Sequence, residues 1–205
     1  MEFLLPVVLA LITSILGPII VEWVRKKLNK PTVTDPLAEA IEHNQEVDYQ
    51  LQSIMEEVDA SRIWIAQFHN GGHFYPTGKS IQKFSIFYEK VTPAVNSIME
   101  LFQNIPVSLF PKALGQLYKE RELIVLDCEN DQHFDLPSIP GERGSQSFYM
   151  LSIHNADDMF IGVLALSFLE KDRKLTKEEW IFIRSKTGTI GTLLTNYLKT
   201  AKNDR

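Results

Sequence analysis

Cysteine is almost missing: Cys128 is the only one in 205 residues. A lone thiol excludes an intrachain disulfide and every zinc site built on several cysteines. Glycine and proline, ten each, are too few for a collagen-like or low-complexity chain. No internal repeat is visible. Positive charge is scarce as well. Residues 1–30 hold four of the 21 Lys/Arg and two of the 26 Asp/Glu, so residues 31–205 carry 17 against 24, a net of −7. Phosphate backbones attract clustered positive charge, so general nucleic-acid binding is not expected.

In one stretch charge vanishes altogether. From Phe3 to Val21 no side chain is charged, and FLLPVVLALITSILGPIIV is almost wholly apolar. As a helix its 19 residues rise about 28 Å, just enough for a hydrocarbon core of about 30 Å. Pro6 falls in the first turn, where it costs little, and Gly17-Pro18 is expected to kink the far end. A secretory signal would want a positive leader and a small-residue cleavage site. Here Glu2 precedes the run and Glu22-Trp23-Val24-Arg25 follows it. The expectation is a membrane anchor over residues 3–24, with Trp23 at the interface. Arg25, Lys26, Lys27 and Lys30 then place the C-terminal bulk in the cytoplasm. An interfacial or buried helix is the alternative.

The chain reads as an anchor with basic flank (1–30), a linker (31–36) and one domain (37–205). Leu37 to about Ala60 predicts a helix with Val47, Leu51, Ile54 and Val58 on one stripe, extended backwards by Ala40 and Asn44. That stripe serves either the domain's own core or a parallel dimer seam with Asn44 as its polar register residue. Strands are expected at 62–70, 81–91, 122–127, 147–155 and 159–169, with a tight hairpin at Ala156-Asp157-Asp158. Between strands two and three, residues 93–120 read as helical pieces broken by Pro106 and Pro111. A last helix runs from about Lys177 to Lys199, opened by a Thr176/Glu179 capping box. Trp180, Ile183, Ile190, Leu194 and Tyr197 form its apolar stripe. The fold class is α+β, an antiparallel sheet flanked by helices.

The order of elements, ELIVLDCENDQHF (122–134), QSFYMLSIHN, MFIGVLALSF around Gly162, and the closing WIFIRSKTGTIGTLLTNYL together resemble the GAF family of sensor domains. The resemblance covers roughly residues 37–200. It implies a GAF-like sheet domain that binds a small molecule between sheet and covering loops, and a signal passed through the flanking helices of a homodimer to an unknown output protein. Some relatives attach a bilin to a cysteine, but the cysteine–histidine pair of those photoreceptors is absent. Others reduce free methionine sulfoxide with several cysteines, which one thiol cannot do. The Asn-Lys-x-Phe-Asp signature of cyclic-nucleotide relatives is absent too.

FHNGGHFYPTGKS (68–80) looks like a phosphate loop and fails as one. Five residues separate Gly72 from Gly78 where four are needed, and a strand follows where a helix must start. It reads instead as a long hairpin loop whose Phe74 and Tyr75 either tuck into the core or wall a pocket. His69 and His73 have helical metal-pair spacing, but Asn70-Gly71-Gly72 breaks any helix between them, and His43, His133 and His154 lie in other segments. No metal is expected. No nucleophile–base pair or paired carboxylates can be named, so no enzymatic activity is expected and no cofactor is assigned. The residues expected to contact a small molecule are His69, Asn70, His73, Phe74, Tyr75 and Lys79 of the loop. By resemblance they are joined by Asp127 at a strand end and by Arg143, Ser147 and Tyr149. The planar fork of Arg143 suits an anionic ligand. The competing reading is a pocketless GAF-like adaptor that dimerises at the membrane.

Overall fold

The computed structural model describes residues 17–24, 35–74, 76–130 and 145–200. The chain divides into two units, Met1–Glu39 and Ala40–Arg205. In the first, residues 17–24 are helical. Residues 3–16 of the apolar run lie outside the described residues. Among the described ones no helix is long and apolar enough to cross a membrane.

The second unit is built on a six-stranded antiparallel sheet. Helix α1 (Pro36–Val58) leads into strands β1 (Arg62–His73) and β2 (Ser80–Val91), followed by the short β3 (Ile105–Pro106). Helix α2 (Pro111–Glu120) precedes β4 (Glu122–Val125), β5 (Ser147–His154), β6 (Phe160–Phe168) and the closing helix α3 (Lys177–Thr200). The strand order is β3-β2-β1-β6-β5-β4. The short β3 does not register in the sequence, whose two residues carry no alternation.

Alternation of side chains along each strand gives the sheet two buried faces. On the first, Ile63 and Ile65 of β1, Tyr149, Leu151 and Ile153 of β5, and Leu164 and Leu166 of β6 pack beneath α1 and α3. The α1 stripe Val47, Leu51, Ile54 and Val58 is buried there almost completely, as is Ile183, Ile190 and Leu194 of α3. The stripe therefore serves the domain's own core. Asn44 leaves it, exposed, to accept a hydrogen bond from Tyr88 Oη at 2.8 Å. α1 and α3 run antiparallel: His43 stacks on Tyr197 at 4.3 Å, while Lys186 donates to Gln50 at 2.8 Å. α3 begins with the expected reciprocal cap. Thr176 N–H donates to Glu179 at 2.6 Å, and Glu179 N–H to Thr176 Oγ1 at 3.2 Å. The buried hydroxyls of Thr187 and Thr195 return their protons to the helix, on Ile183 O and Gly191 O.

On the second face, Leu123 and Val125 of β4, Phe148 and Met150 of β5 and Val163 and Ala165 of β6 meet Ala113 and Leu117 of α2. A neighbouring cluster joins Ala66, Phe84 and Ile86 to Ile98 and Phe110. Residues 92–110, irregular apart from β3 and a 3-10 turn at Val107–Leu109, complete that cover. Their anchor is a buried charge. The Glu89 carboxylate, 3% exposed, sits 3.4 Å from Arg62 Nε and accepts the N–H groups of Ile98 and Met99 and the Ser97 hydroxyl. Arg62 in turn donates to Asn96 O at 2.6 Å.

Candidate functional site

The 68–80 stretch is less of a loop than its glycines suggest. β1 continues through Gly71 and Gly72 to His73, which pairs with Ser80 across an irregularity that follows Asn70. Phe74 N–H donates to Lys79 O and Gly78 N–H to Phe74 O, both at 2.8 Å, closing a short hairpin tip. Gly72 and Gly78 take φ of +112° and +67°, values that favour glycine. Phe74 is 54% exposed, so it does not tuck into the core. Tyr75 lies outside the described residues.

Strand register divides the sheet into two ends. β1 finishes beside the start of β6, where Gln67 pairs with Gly162, and His154 of β5 pairs with Phe160. That end carries the 68–80 hairpin, the β5–β6 turn and Arg121, which closes α2 in a left-handed conformation. Here the second face has an aromatic floor. Phe68 meets Phe160 edge-on at 4.8 Å, and both are only half-buried, as is Trp64 beside them. His154 stacks on Phe160 at 5.6 Å and opens a polar rim. Its Nε2 lies 2.9 Å from Ser152 Oγ, and its Nδ1 lies 3.1 Å from Asp158 O and 3.5 Å from the Asp158 carboxylate. Nδ1 faces acceptors only, so it carries a hydrogen. Arg121 grips the same carboxylate with contacts of 2.8 and 2.9 Å.

Serine, histidine and aspartate in series invite comparison with a nucleophile relay. Ser152 Oγ, however, stands 3.2 Å from the carbonyl oxygen of Arg121. That carbonyl accepts the Ser152 hydroxyl hydrogen, so the proton a relay would pass to His154 is directed at the backbone instead. The cluster is suited to hydrogen-bonding a polar ligand edge, with donors and acceptors beside an aromatic surface.

No protein-family model matches the sequence, and no curated protein matches it. Solved structures do. The GAF domain of PixJ from Thermosynechococcus elongatus, in its blue-light-absorbing form, superposes with a TM-score of 0.59 at 14% identity, over 84% of this chain and 95% of that one. A far-red cyanobacteriochrome photoreceptor gives 0.58 at 15% identity, covering 92% and 98%. The GAF domain of a phosphoenolpyruvate-protein phosphotransferase from Coxiella burnetii gives 0.56 at 12%, covering 82% and 96%. The fold is a GAF fold.

Within this GAF fold the expected ligand residues are not gathered in one place. His69 turns away from the aromatic floor, opposite Phe68, and its Nε2 lies 2.9 Å from Ser85 Oγ. Ser85 Oγ already accepts the Asn104 N–H at 2.9 Å, which leaves its own proton for His69. Asn70 accepts from Gln82 at 3.2 Å across the hairpin. His73, Phe74 and Lys79 sit exposed near its tip. Asp127 and Ser147 lie at the opposite end of the sheet. Asp127 accepts from Asn130 at 2.7 Å and pairs with Lys171 at 2.8 Å, and these two contacts hold its carboxyl below the ordinary range. Ser147, fully buried, donates to Glu170 O. Tyr149 belongs to the core under α1 and α3: its hydroxyl donates to Arg173 O at 2.5 Å and accepts Leu175 N–H at 3.3 Å. Arg143 lies outside the described residues. Half-buried Cys128 packs against the second-face cluster. Among the described residues no three His, Cys, Asp or Glu side chains gather for a metal ion.

None of Ser152, His154, Asp158 and Arg121 is among the ligand residues expected from the sequence. One signal was present: Ser-x-His on a strand puts both side chains on one face. The Arg121–Asp158 contact, 37 residues apart, had none.

Proposed function

We propose that this chain is a sensory GAF domain that binds a small, partly polar, partly aromatic molecule on the second sheet face, and that residues 3–24 hold it at a membrane with the domain in the cytoplasm. The observation that carries the binding reading is the junction of the Trp64–Phe68–Phe160 floor with the Ser152–His154–Arg121–Asp158 rim. Flat apolar area beside a few fixed hydrogen-bonding groups is the usual make-up of a small-molecule site. Two of the similar solved structures are light-responsive proteins by description, so the fold serves sensing elsewhere. Support for the anchor comes from the uncharged 3–21 run with its basic flank, and from Ile19, Ile20 and Val21, exposed on the helical 17–24 segment. No enzymatic role is proposed.

Thermal shift of the full chain in detergent against a panel of aromatic heterocycles and their phosphates tests the reading. A ligand that raises the midpoint for the parent and not for His154→Ala supports it. No shift from any compound points to a pocketless adaptor, a reading favoured by the Phe84–Phe110 packing that fills the other part of this face.

A further inference from the structure

The ligand site leaves the 68–80 hairpin unused. β1 pairs with β6 only as far as Gln67, and β2 meets β3 only at Lys83 and Phe84. Past those positions the two strands run on alone, to His73 opposite Ser80 and a tip closed by Phe74 and Lys79. At about 3.3 Å per residue, the stretch from Gln67 to His73 is a ribbon of about 20 Å. Its end carries an aromatic ring held in water, since Phe74 is 54% exposed.

The ribbon's charge is of one sign. From Ala60 to Tyr88 the chain has no Asp or Glu, in a domain where acids outnumber bases. Lys79 stands at the tip. Lys83 pairs with His69, and its stem leans over Gly71, two residues nearer the tip, filling the space a Cβ there would need. Among the described residues no carboxylate pairs with either ammonium. Asp157 and Asp158 of the neighbouring β5–β6 turn are no exception, and Asp158 is held by Arg121. The acidic body of the domain acts weakly at the tip, because charges are screened over about 8 Å at physiological ionic strength, less than half the ribbon's length. Two lysines are too few for a nucleic-acid backbone. An exposed ring flanked by unpaired ammonium groups suits a lipid headgroup layer, where the ring meets the acyl boundary and lysine stems snorkel to the phosphates. We propose that the tip of this hairpin, Phe74 with Lys79 and Lys83, dips into an anionic bilayer surface. The choice of a bilayer rests on the reading of residues 3–24 as an anchor, which brings the domain to one.

The test places the photo-crosslinker p-benzoylphenylalanine at position 74 of the full chain, mixed with vesicles of phosphatidylcholine alone or of phosphatidylcholine with phosphatidylserine. A lipid adduct on the tip peptide, read by mass spectrometry, is expected in the vesicles that contain phosphatidylserine. Its yield should fall at least about tenfold when Lys79→Glu and Lys83→Glu are combined. The same crosslinker at position 181, where Ile181 is exposed on α3, should stay unlabelled. Flotation of the vesicles reports the anchor separately. A chain that floats without an adduct at 74 overturns the proposal and spares the anchor. So does an adduct matched at 181, or one indifferent to phosphatidylserine or to the lysine reversals. Cross-linking to a poly-glutamate peptide in preference to lipid assigns the tip to an acidic protein and overturns it too. A chain that neither floats nor cross-links overturns both readings. A lysine-dependent adduct in a chain that does not float sustains the proposal and removes the anchor.

Discussion

Gly162 shows how tightly single atoms constrain this sheet. A Cβ added there would stand 2.4 Å from Ala66 O on the neighbouring strand, where only backbone movement relieves the clash. Gly191 of α3 faces His154 O at the same 2.4 Å, so the helix approaches β5 by virtue of having no side chain at that point. Gly162→Ala and Gly191→Ala are each predicted to cost about 1–3 kcal/mol by chemical denaturation. Gly115, which has open space around it within α2, is the contrast: Gly115→Ala should stabilise by about 0.5–1 kcal/mol. The buried Arg62–Glu89 pair makes a second residue-scale prediction. Glu89→Ala removes the Glu89 carboxylate from beside the guanidinium and leaves the Ile98 and Met99 N–H groups without their acceptor. A loss of about 3–5 kcal/mol is expected, with faster hydrogen exchange confined first to residues 92–104.

Among the elements, α3 has the most explicit beginning, and its cap titrates. Burial pushes the Glu179 carboxyl up, but the Thr176 N–H and Arg173 more than offset this and hold it below its ordinary value. A depressed carboxylate contributes stability above its unfolded pKa, about 4.3, and loses it as pH falls through the lower folded value. Glu179→Gln should therefore flatten the acid limb of the stability–pH curve while leaving its shape above neutrality unchanged. Thr176→Ala should cost about 1 kcal/mol at neutral pH by loss of the cap. Elements of this kind were legible in the sequence because their signals are local. The α1 stripe repeats at helical spacing, Thr176 and Glu179 stand three apart, and Phe84 and Ile86 alternate with polar neighbours. The 68–80 stretch looks like a longer loop than it is because Gly71 and Gly72 resemble turn residues, whereas cross-strand pairing carries β1 through them. β3 escaped notice because a two-residue strand owes its existence to its neighbour, through Lys83 and Phe84 opposite Pro106 and Ile105.

For the molecule as a whole, the hydrophobic pattern implies an α+β antiparallel sheet flanked by helices; that α1 and α3 share one face while shorter segments cover the other is visible only in the structure. The candidate site did not. Its rim is assembled from the end of α2, the last residues of β5 and the turn before β6, and register across three strands decides which side chains share a face. That is why Ser147 and Tyr149, plausible by position, fall at the far end of the sheet and in the α1–α3 core, while His154 comes to border the aromatic floor. The central claim is that this floor and rim hold a molecule. Native mass spectrometry of the full chain released from detergent micelles tests it most directly. The account predicts a noncovalent adduct that survives gentle activation in the parent and is lost in both Phe68→Ala and His154→Ala. A bare polypeptide mass in the parent, or an adduct indifferent to both substitutions, would contradict it.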